Sequence, residues 1–301
     1  MTKSLLKLSD LTKVDVAAIL NKADQLKFEQ KNGIPHRILE GKTLAMIFSK
    51  SSTRTRVSFE VGMVQLGGYP MFLSANDLQI GRGEPVEDTA RVMFRYVNGI
   101  MIRTFAQQEV EDLAAFSGLP VINGLTDYAH PCQVLADLMT IRERFTYLEG
   151  LNACYIGDGN NVCNSFIVGS ILTDMNITVA CPKGYEPHPD VIKWAGDKLR
   201  ITADPREAAE NADVLYTDVW ASMGQEDDAA VRIKALSSFQ INAELMKLAN
   251  PEAIVLHCLP AHRGEEITAD VLEAQADVIF EEAENRLHAQ KAVMALLIGG
   301  A

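Results

Sequence analysis

The sequence predicts an α/β protein of two similar-sized domains, each a parallel sheet flanked by helices. Three observations predict it. Short apolar, β-rich runs alternate with stretches of helical periodicity, the signature of parallel strands joined by helical crossovers. The alternation halts at 147–151 and then restarts. A chain of 301 residues with 48% apolar content is too long for one small core and apolar enough for two.

In chain order, Leu5, Leu8, Leu11, Val14, Ile19, Leu20 and Leu26 recur at helical spacing. They predict a lead-in helix, with Ser9-Asp10 as its cap. Strands are expected at 43–48, 70–73, 99–103 and 120–123, and helices from Thr53, Val86 and Gln107 and over 131–145. In the second half, strands are expected at 154–156, 177–180, 199–202, 214–217, 253–256 and 278–280, with helical stretches such as 162–174 between them. A closing helix over 281–298 carries Ala292, Val293, Leu296 and Leu297 as its apolar positions.

A formal charge of −12 argues against nucleic acid or an anionic membrane surface as the main partner. The five cysteines are scattered and form no C-x-x-C pair, so neither a disulfide framework nor a zinc motif is indicated, and a reducing cytoplasm fits. No apolar run approaches the roughly 18 residues a membrane span requires.

Positive charge is therefore local, and one stretch gathers it: Phe48-Ser49-Lys50-Ser51-Ser52-Thr53-Arg54-Thr55-Arg56, a strand end, a hydroxyl-rich turn and a helix start. Ser52 or Thr53 can cap the helix, whose first-turn N–H groups then point at whatever lies beyond the strand. Acids normally occupy a first helical turn, so two arginines there oppose the dipole unless an anion is bound. The bland alternative is a capped helix with two surface arginines. Ligands of open parallel sheets collect where strands end and helices begin. Arg103 closes the apolar run 99–102, and His130-Pro131-Cys132-Gln133 opens a helix with Pro131 suited to its first position. A loop histidine is as often simply solvated.

The second half offers three more loops at strand ends. Gly157-Asp158-Gly159-Asn160-Asn161-Val162 invites a dinucleotide reading. Against that reading, Val162 stands where the fingerprint has its third glycine, and Cys181-Pro182-Lys183 stands where a ribose-binding acid belongs. Asp218-Val219-Trp220-Ala221-Ser222-Met223-Gly224 offers an acid able to hold an ammonium group, or simply a helix-capping Asp. His257-Cys258-Leu259-Pro260-Ala261-His262-Arg263-Gly264 packs a thiol, two imidazoles and a guanidinium into one loop. His257, Cys258 and His262 admit a metal reading, but no second cluster supplies the usual third or fourth ligand at a familiar spacing, so no metal is expected.

Ser-Thr-Arg-Thr-Arg at 52–56, His-Pro-Cys-Gln at 130–133, Asp-Val-Trp-Ala-Ser-Met-Gly at 218–224 and His-Cys-Leu-Pro at 257–260 together resemble the carbamoyltransferase family, on its ornithine branch. The aspartate branch would show Pro-Leu-Pro with a following arginine and a lysine near position 80. Here Cys258 and Ala261 stand in the former, and 76–83 reads Asn-Asp-Leu-Gln-Ile-Gly-Arg-Gly.

The resemblance implies a carbamoyl-phosphate-binding domain over 1–147, an ornithine-binding domain over 148–284, and a C-terminal helix over 285–301 packing back on the first domain. It implies that Ser52, Thr53, Arg54, Thr55, Gln79, Arg103, His130, Gln133, Cys258, Leu259 and Arg286 surround carbamoyl phosphate. Arg54 and His130 would donate to its carbonyl oxygen. Asn161, Asp218, Ser222 and Met223 would hold ornithine, while Arg54, Arg103, His130, Asp218 and Cys258 would carry the chemistry. Arg56 reads as structural support. No cofactor is implied, and the partners would be the two small substrates and further copies of the chain in a homotrimer, part of the site coming from a neighbouring subunit's loop.

Three rivals differ in what they predict. A carbamoyltransferase for another amine such as putrescine has no need of Asp218, and an NAD-dependent oxidoreductase would bind NADH. A binding or storage protein would use the anion pocket without turnover.

Overall fold

The computed structural model describes residues 3–79, 83–221 and 228–299. It divides into two compact units, one of residues 1–139 with 285–301 and the other of 140–284.

In the first unit, a 3₁₀ turn at Leu8–Asp10 precedes α1 (Lys13–Lys31). The cap is Thr12 rather than Ser9-Asp10: its hydroxyl accepts from Asp15 N at 3.2 Å while Asp15 Oδ2 accepts from Thr12 N at 2.9 Å. This reciprocal capping box outranks a cap placed three residues earlier. There follow β1 (Thr43–Phe48), α2 (Thr53–Gln65), β2 (Tyr69–Ser74), α3 (Val86–Met93), β3 (Gly99–Arg103), α4 (Gln107–Ser117), β4 (Val121–Leu125) and α5 (Pro131–Phe145). All four strands are parallel, in the order β2-β1-β3-β4. The two central strands are apolar because helices cover both their faces, and Ala45, Ile47, Ile100 and Ile102 form one core with Val110, Leu113 and Val121. From β1 the chain moves outward to β2 and then crosses to β3 on the other side. The sheet therefore has its topological switch between β1 and β3, where Phe48 lies beside Arg103.

The second unit repeats the plan with β5 (Asn152–Ile156), α6 (Asn161–Leu172), β6 (Asn176–Ala180), α7 (Pro189–Ala195), β7 (Leu199–Thr202), α8 (Pro205–Ala209), β8 (Val214–Thr217), α9 (Ala229–Leu236), α10 (Ala243–Met246), β9 (Ile254–His257) and α11 (Ala269–Ala274). Its five parallel strands run β7-β6-β5-β8-β9, which puts the switch between β5 and β8.

The strand expected at 278–280 is instead helix, part of α12 (Ala276–Ile298). Ile279 is fully buried in the second unit's core and Phe280 is 57% exposed. A three-residue apolar run cannot by itself separate strand from helix, and the continuous helical sequence after it decides. From Asn285 onward α12 belongs to the first unit and lies on α2, where Gly62 admits it. A Cβ on Gly62 would sit 3.0 Å from Met294 Cε and 3.1 Å from Lys291 Cγ.

Candidate functional site

Each unit carries a cluster of polar side chains at its switch point. In the first, Ser52 caps α2 by accepting from Thr55 N at 3.2 Å, and no acid occupies the first turn. Arg54 is exposed on that turn. Strand register brings Arg103 alongside: its carbonyl accepts from Ser49 N at 2.8 Å, so the 49–52 turn and the end of β3 are tied together. His130, at the entrance of α5, is buried. Burial holds its imidazole well below the usual histidine range, and the guanidiniums of Arg286, Arg103 and Arg54 push in the same direction. It is therefore neutral at physiological pH and can donate one ring N–H without adding charge.

Arg286 of α12 ties the cluster together. It donates through Nη1 to Gln133 Oε1 at 2.6 Å and through Nη2 to Thr55 Oγ1 at 3.3 Å. Gln133 in turn donates to Asp137 Oδ1 at 2.8 Å. In the amide orientation that suits both neighbours, Gln290 accepts from Arg286 Nε at 3.0 Å and donates to Ser58 Oγ at 2.6 Å. Thr53 and Gln79 are exposed. Arg56 stacks 3.7 Å over Phe72 and pairs with Glu60 at 3.0 Å.

The second unit gathers an acid instead. Asp218, just beyond β8, is buried. Its Oδ1 accepts from Val219 N at 2.8 Å and from Cys258 Sγ at 3.0 Å, and its Oδ2 accepts from Asn160 Nδ2 at 2.7 Å. Asn160 caps α6 with its other side-chain atom, which accepts from Val162 N and Cys163 N at 3.0 Å each. One amide thus fixes both the helix start and the carboxylate. Asn161 follows as the first residue of α6, half-buried. Leu259 donates its N–H to His257 Nδ1 at 2.9 Å, and His257 Nε2 lies 2.9 Å from Glu266 Oε1, which sets the His-Cys-Leu-Pro loop on a buried pair. Ser222 and Met223 lie outside the described residues.

The glycines of 157–159 serve the chain itself. Gly159 donates to Tyr185 O at 2.8 Å, and a Cβ there would stand 2.3 Å from Pro187 N. The close approach that a dinucleotide fingerprint reserves for pyrophosphate is here made by backbone.

Sequence reasoning passed over three contributors. Lys50, buried, pairs with Asp127 and lies 4.3 Å over the Phe105 ring, which anchors the loop leading to His130. Asn160 reads locally as a turn residue. Arg232 on α9 pairs with Asp158 and donates through Nε to Trp220 O at 2.6 Å, fastening the start of the 218–221 stretch to the 157–161 loop. Burial pushes the Asp158 carboxyl up to about 6 despite that pairing. Lys50, inside the basic turn, was the one with a local signal; the other two depend on contacts across 58 and 12 or more positions of sequence.

Two family models cover nearly the whole chain. Residues 3–143 match the carbamoyl-P binding domain of aspartate/ornithine carbamoyltransferase, and residues 149–297 match its Asp/Orn binding domain. A protein of Carboxydothermus hydrogenoformans named ornithine carbamoyltransferase is 56% identical, over 99% of this chain and 98% of its own. A Pyrococcus furiosus protein named ornithine carbamoyltransferase, anabolic, is 52% identical over 99% and 97%. A solved structure of ornithine carbamoyltransferase from Pyrococcus furiosus superposes with a TM-score of 0.95, at 52% identity, over 99% of this chain and 97% of that one.

Proposed function

Because the chain belongs to the aspartate/ornithine carbamoyltransferase family, we propose that it transfers the carbamoyl group of carbamoyl phosphate to the δ-amine of L-ornithine, giving L-citrulline and phosphate. One observation carries the choice of acceptor. The acceptor-side pole is a buried acid, Asp218, braced by Asn160 and Cys258, which suits the α-ammonium of ornithine and repels a second carboxylate such as aspartate's. Full-length identity of 52–56% to proteins named for ornithine supports the same choice.

Carbamoyl phosphate sits with its phosphate on Ser52, Thr53, Arg54, Thr55 and Arg103, and its carbonyl oxygen receives hydrogen bonds from Arg54 and neutral His130. Gln133 and Leu259 lie by the carbamoyl group, and Gln79 completes the pocket. Arg286 orients Gln133 and Thr55 and adds positive charge. Asn161 and Met223 meet the ornithine carboxylate, and Asp218 and Ser222 its α-amine. The neutral δ-amine attacks the carbamoyl carbon, a C–N bond forms, the C–O bond to phosphate breaks, and the surplus amine proton leaves with the phosphate. Charge grows on the carbonyl oxygen in the transition state, so fixed donors there contribute more than they do to ground-state binding. Free ornithine's δ-ammonium titrates near 10.4, and the surrounding guanidiniums favour its neutral form. Carbamoyl phosphate binds first, since it neutralises those guanidiniums.

The reaction runs in the biosynthetic direction, in keeping with the name of the anabolic relative, and in the cytoplasm, whose reducing conditions suit five scattered cysteines. Among the described residues no helix is long and apolar enough to cross a membrane. The chain works as a homotrimer. Edge strand β2 and the outer face of α2 expose Tyr69, Met71, Phe72, Val57, Val61 and Val64, an apolar surface suited to another copy.

The test is citrulline formation by the purified chain from carbamoyl phosphate with ornithine, aspartate and putrescine as parallel acceptors. Turnover with ornithine alone is expected. Turnover with putrescine would remove the role of Asp218, and none with any acceptor would leave a binding protein.

A further inference from the structure

We propose that His262, Glu265 and Glu266, in the turn after β9, form a binding site for a divalent transition-metal ion of the zinc class. One ligand atom from each of the three lies within 4.8 Å of the others, and His262 Nδ1 is 3.5 Å from Glu265 Oε2. An independent observation comes from beneath them. Glu266 is fully buried; its Oε1 takes His262 N at 2.6 Å and His257 Nε2 at 2.9 Å, while its Oε2 is buried without any hydrogen-bond partner. A buried carboxylate oxygen left unmatched is costly, and a bound cation removes that cost.

The turn is built to hold these groups. Glu265 N donates to His262 O at 2.9 Å and Gly264 N to Ile267 O at 2.8 Å. Gln240 Nε2 donates to Gly264 O at 2.9 Å and Glu265 O at 2.7 Å. Gly264 supplies the φ of +94° that the turn requires. Arg263, the cation within the turn, is directed to Glu273 at 3.0 Å. Two carboxylates and a neutral imidazole balance a divalent ion, and the nitrogen ligand favours zinc, cobalt or nickel over calcium or magnesium.

A rival group exists in Asp218, His257 and Cys258, whose ligand atoms are equally close. It is the weaker candidate because both ring nitrogens of His257 are already engaged, Nδ1 by Leu259 N and Nε2 by Glu266. A metal there would break one of those bonds, whereas a metal on His262, Glu265 and Glu266 leaves them in place and becomes an outer brace for His257.

The experiment is titration of the chelator-treated full chain with Zn²⁺ by calorimetry and with Co²⁺ by absorption, on the wild type and on His262→Ala, Glu265→Gln and Cys258→Ser. Expected are saturable binding of a single ion, at least about tenfold weaker in His262→Ala and in Glu265→Gln and unchanged in Cys258→Ser, and a cobalt spectrum without a thiolate charge-transfer band. Absence of saturable binding would overturn the proposal. So would binding lost in Cys258→Ser or a thiolate band, either of which would put the ion on the rival group. Both His262 and Glu265 are partly exposed, so their variants fold and the comparison stays readable.

Discussion

The two switch points are built alike and charged oppositely. In the first unit, arginines stand at the ends of β3 and at the start of α2, and Arg286 is braced by the uncharged groups of Gln133, Thr55 and Gln290. In the second, Asp218 is braced by a backbone N–H, a thiol and the amide of Asn160. Neutral dipoles such as these fix the direction of a charged group without adding charge of their own. The difference lies beside the poles. Each has an ion pair, but Asp158 with Arg232 is largely buried, whereas Asp127, the partner of Lys50, is 65% exposed.

The largest effect should come from the basic pole. Arg54→Ala is expected to lower kcat/KM by about 10²-fold or more, because in the proposed reaction Arg54 donates to the growing oxyanion. The fold should persist, since Arg54 is exposed; a thermal melt beside steady-state rates checks both. Next, Asp218→Asn should lower kcat/KM for ornithine by roughly 10- to 100-fold, the range of a lost charge-assisted hydrogen bond. Calorimetric affinity for carbamoyl phosphate should not change, and a parallel loss there would break the separation of the two poles.

Arg232→Met removes the fastening between Trp220 and Asp158. The ornithine KM should rise about three- to tenfold with kcat less affected, a cost of ~1 kcal/mol typical of a hydrogen bond acting at one remove. A change confined to thermal stability would reduce the pair to a structural brace.

Asp158 also carries a pH signature. Its folded-state carboxyl lies at about 6, raised by burial, above the ordinary 3.8. Folding therefore favours the protonated form, and this contribution to stability, full below the unfolded value, is lost as pH rises through about 6. Wild-type stability minus that of Asp158→Asn should fall by about 1 kcal/mol between pH 5 and 7 in urea melts. A difference that stays flat would mean that the carboxyl titrates normally. The smallest effect is Ser52→Ala, about 1 kcal/mol of stability from the lost α2 cap with only a modest change in rate.

Much of this was legible in residue order. Apolar runs separated by helical stretches mark parallel sheets, and the charged residues that end those runs, Arg103 and Asp218, stand out because a buried strand has no other use for them. What escaped was of two kinds. Short ambiguous patterns misled: 278–280 is apolar enough for a strand but continues into a helix, and Ser9-Asp10 resembles a cap until Thr12 and Asp15 satisfy each other. Long-range partners were invisible: Asn160 meets Asp218 58 positions away, and nothing near Arg232 announces Asp158.

The reach of α12 back to the first unit bears on how the molecule is made. Arg286 meets Gln133 across 153 positions and Thr55 across 231. Domains generally take shape from the N-terminus as synthesis proceeds. A ribosome that has delivered every strand of the first sheet has still not delivered the guanidinium that orients Gln133 and Thr55, nor the helix that covers Gly62. The basic pole is thus completed almost last, and a nascent chain, however well its first sheet has formed, cannot hold Gln133 and Thr55 in their finished places until the final helix arrives.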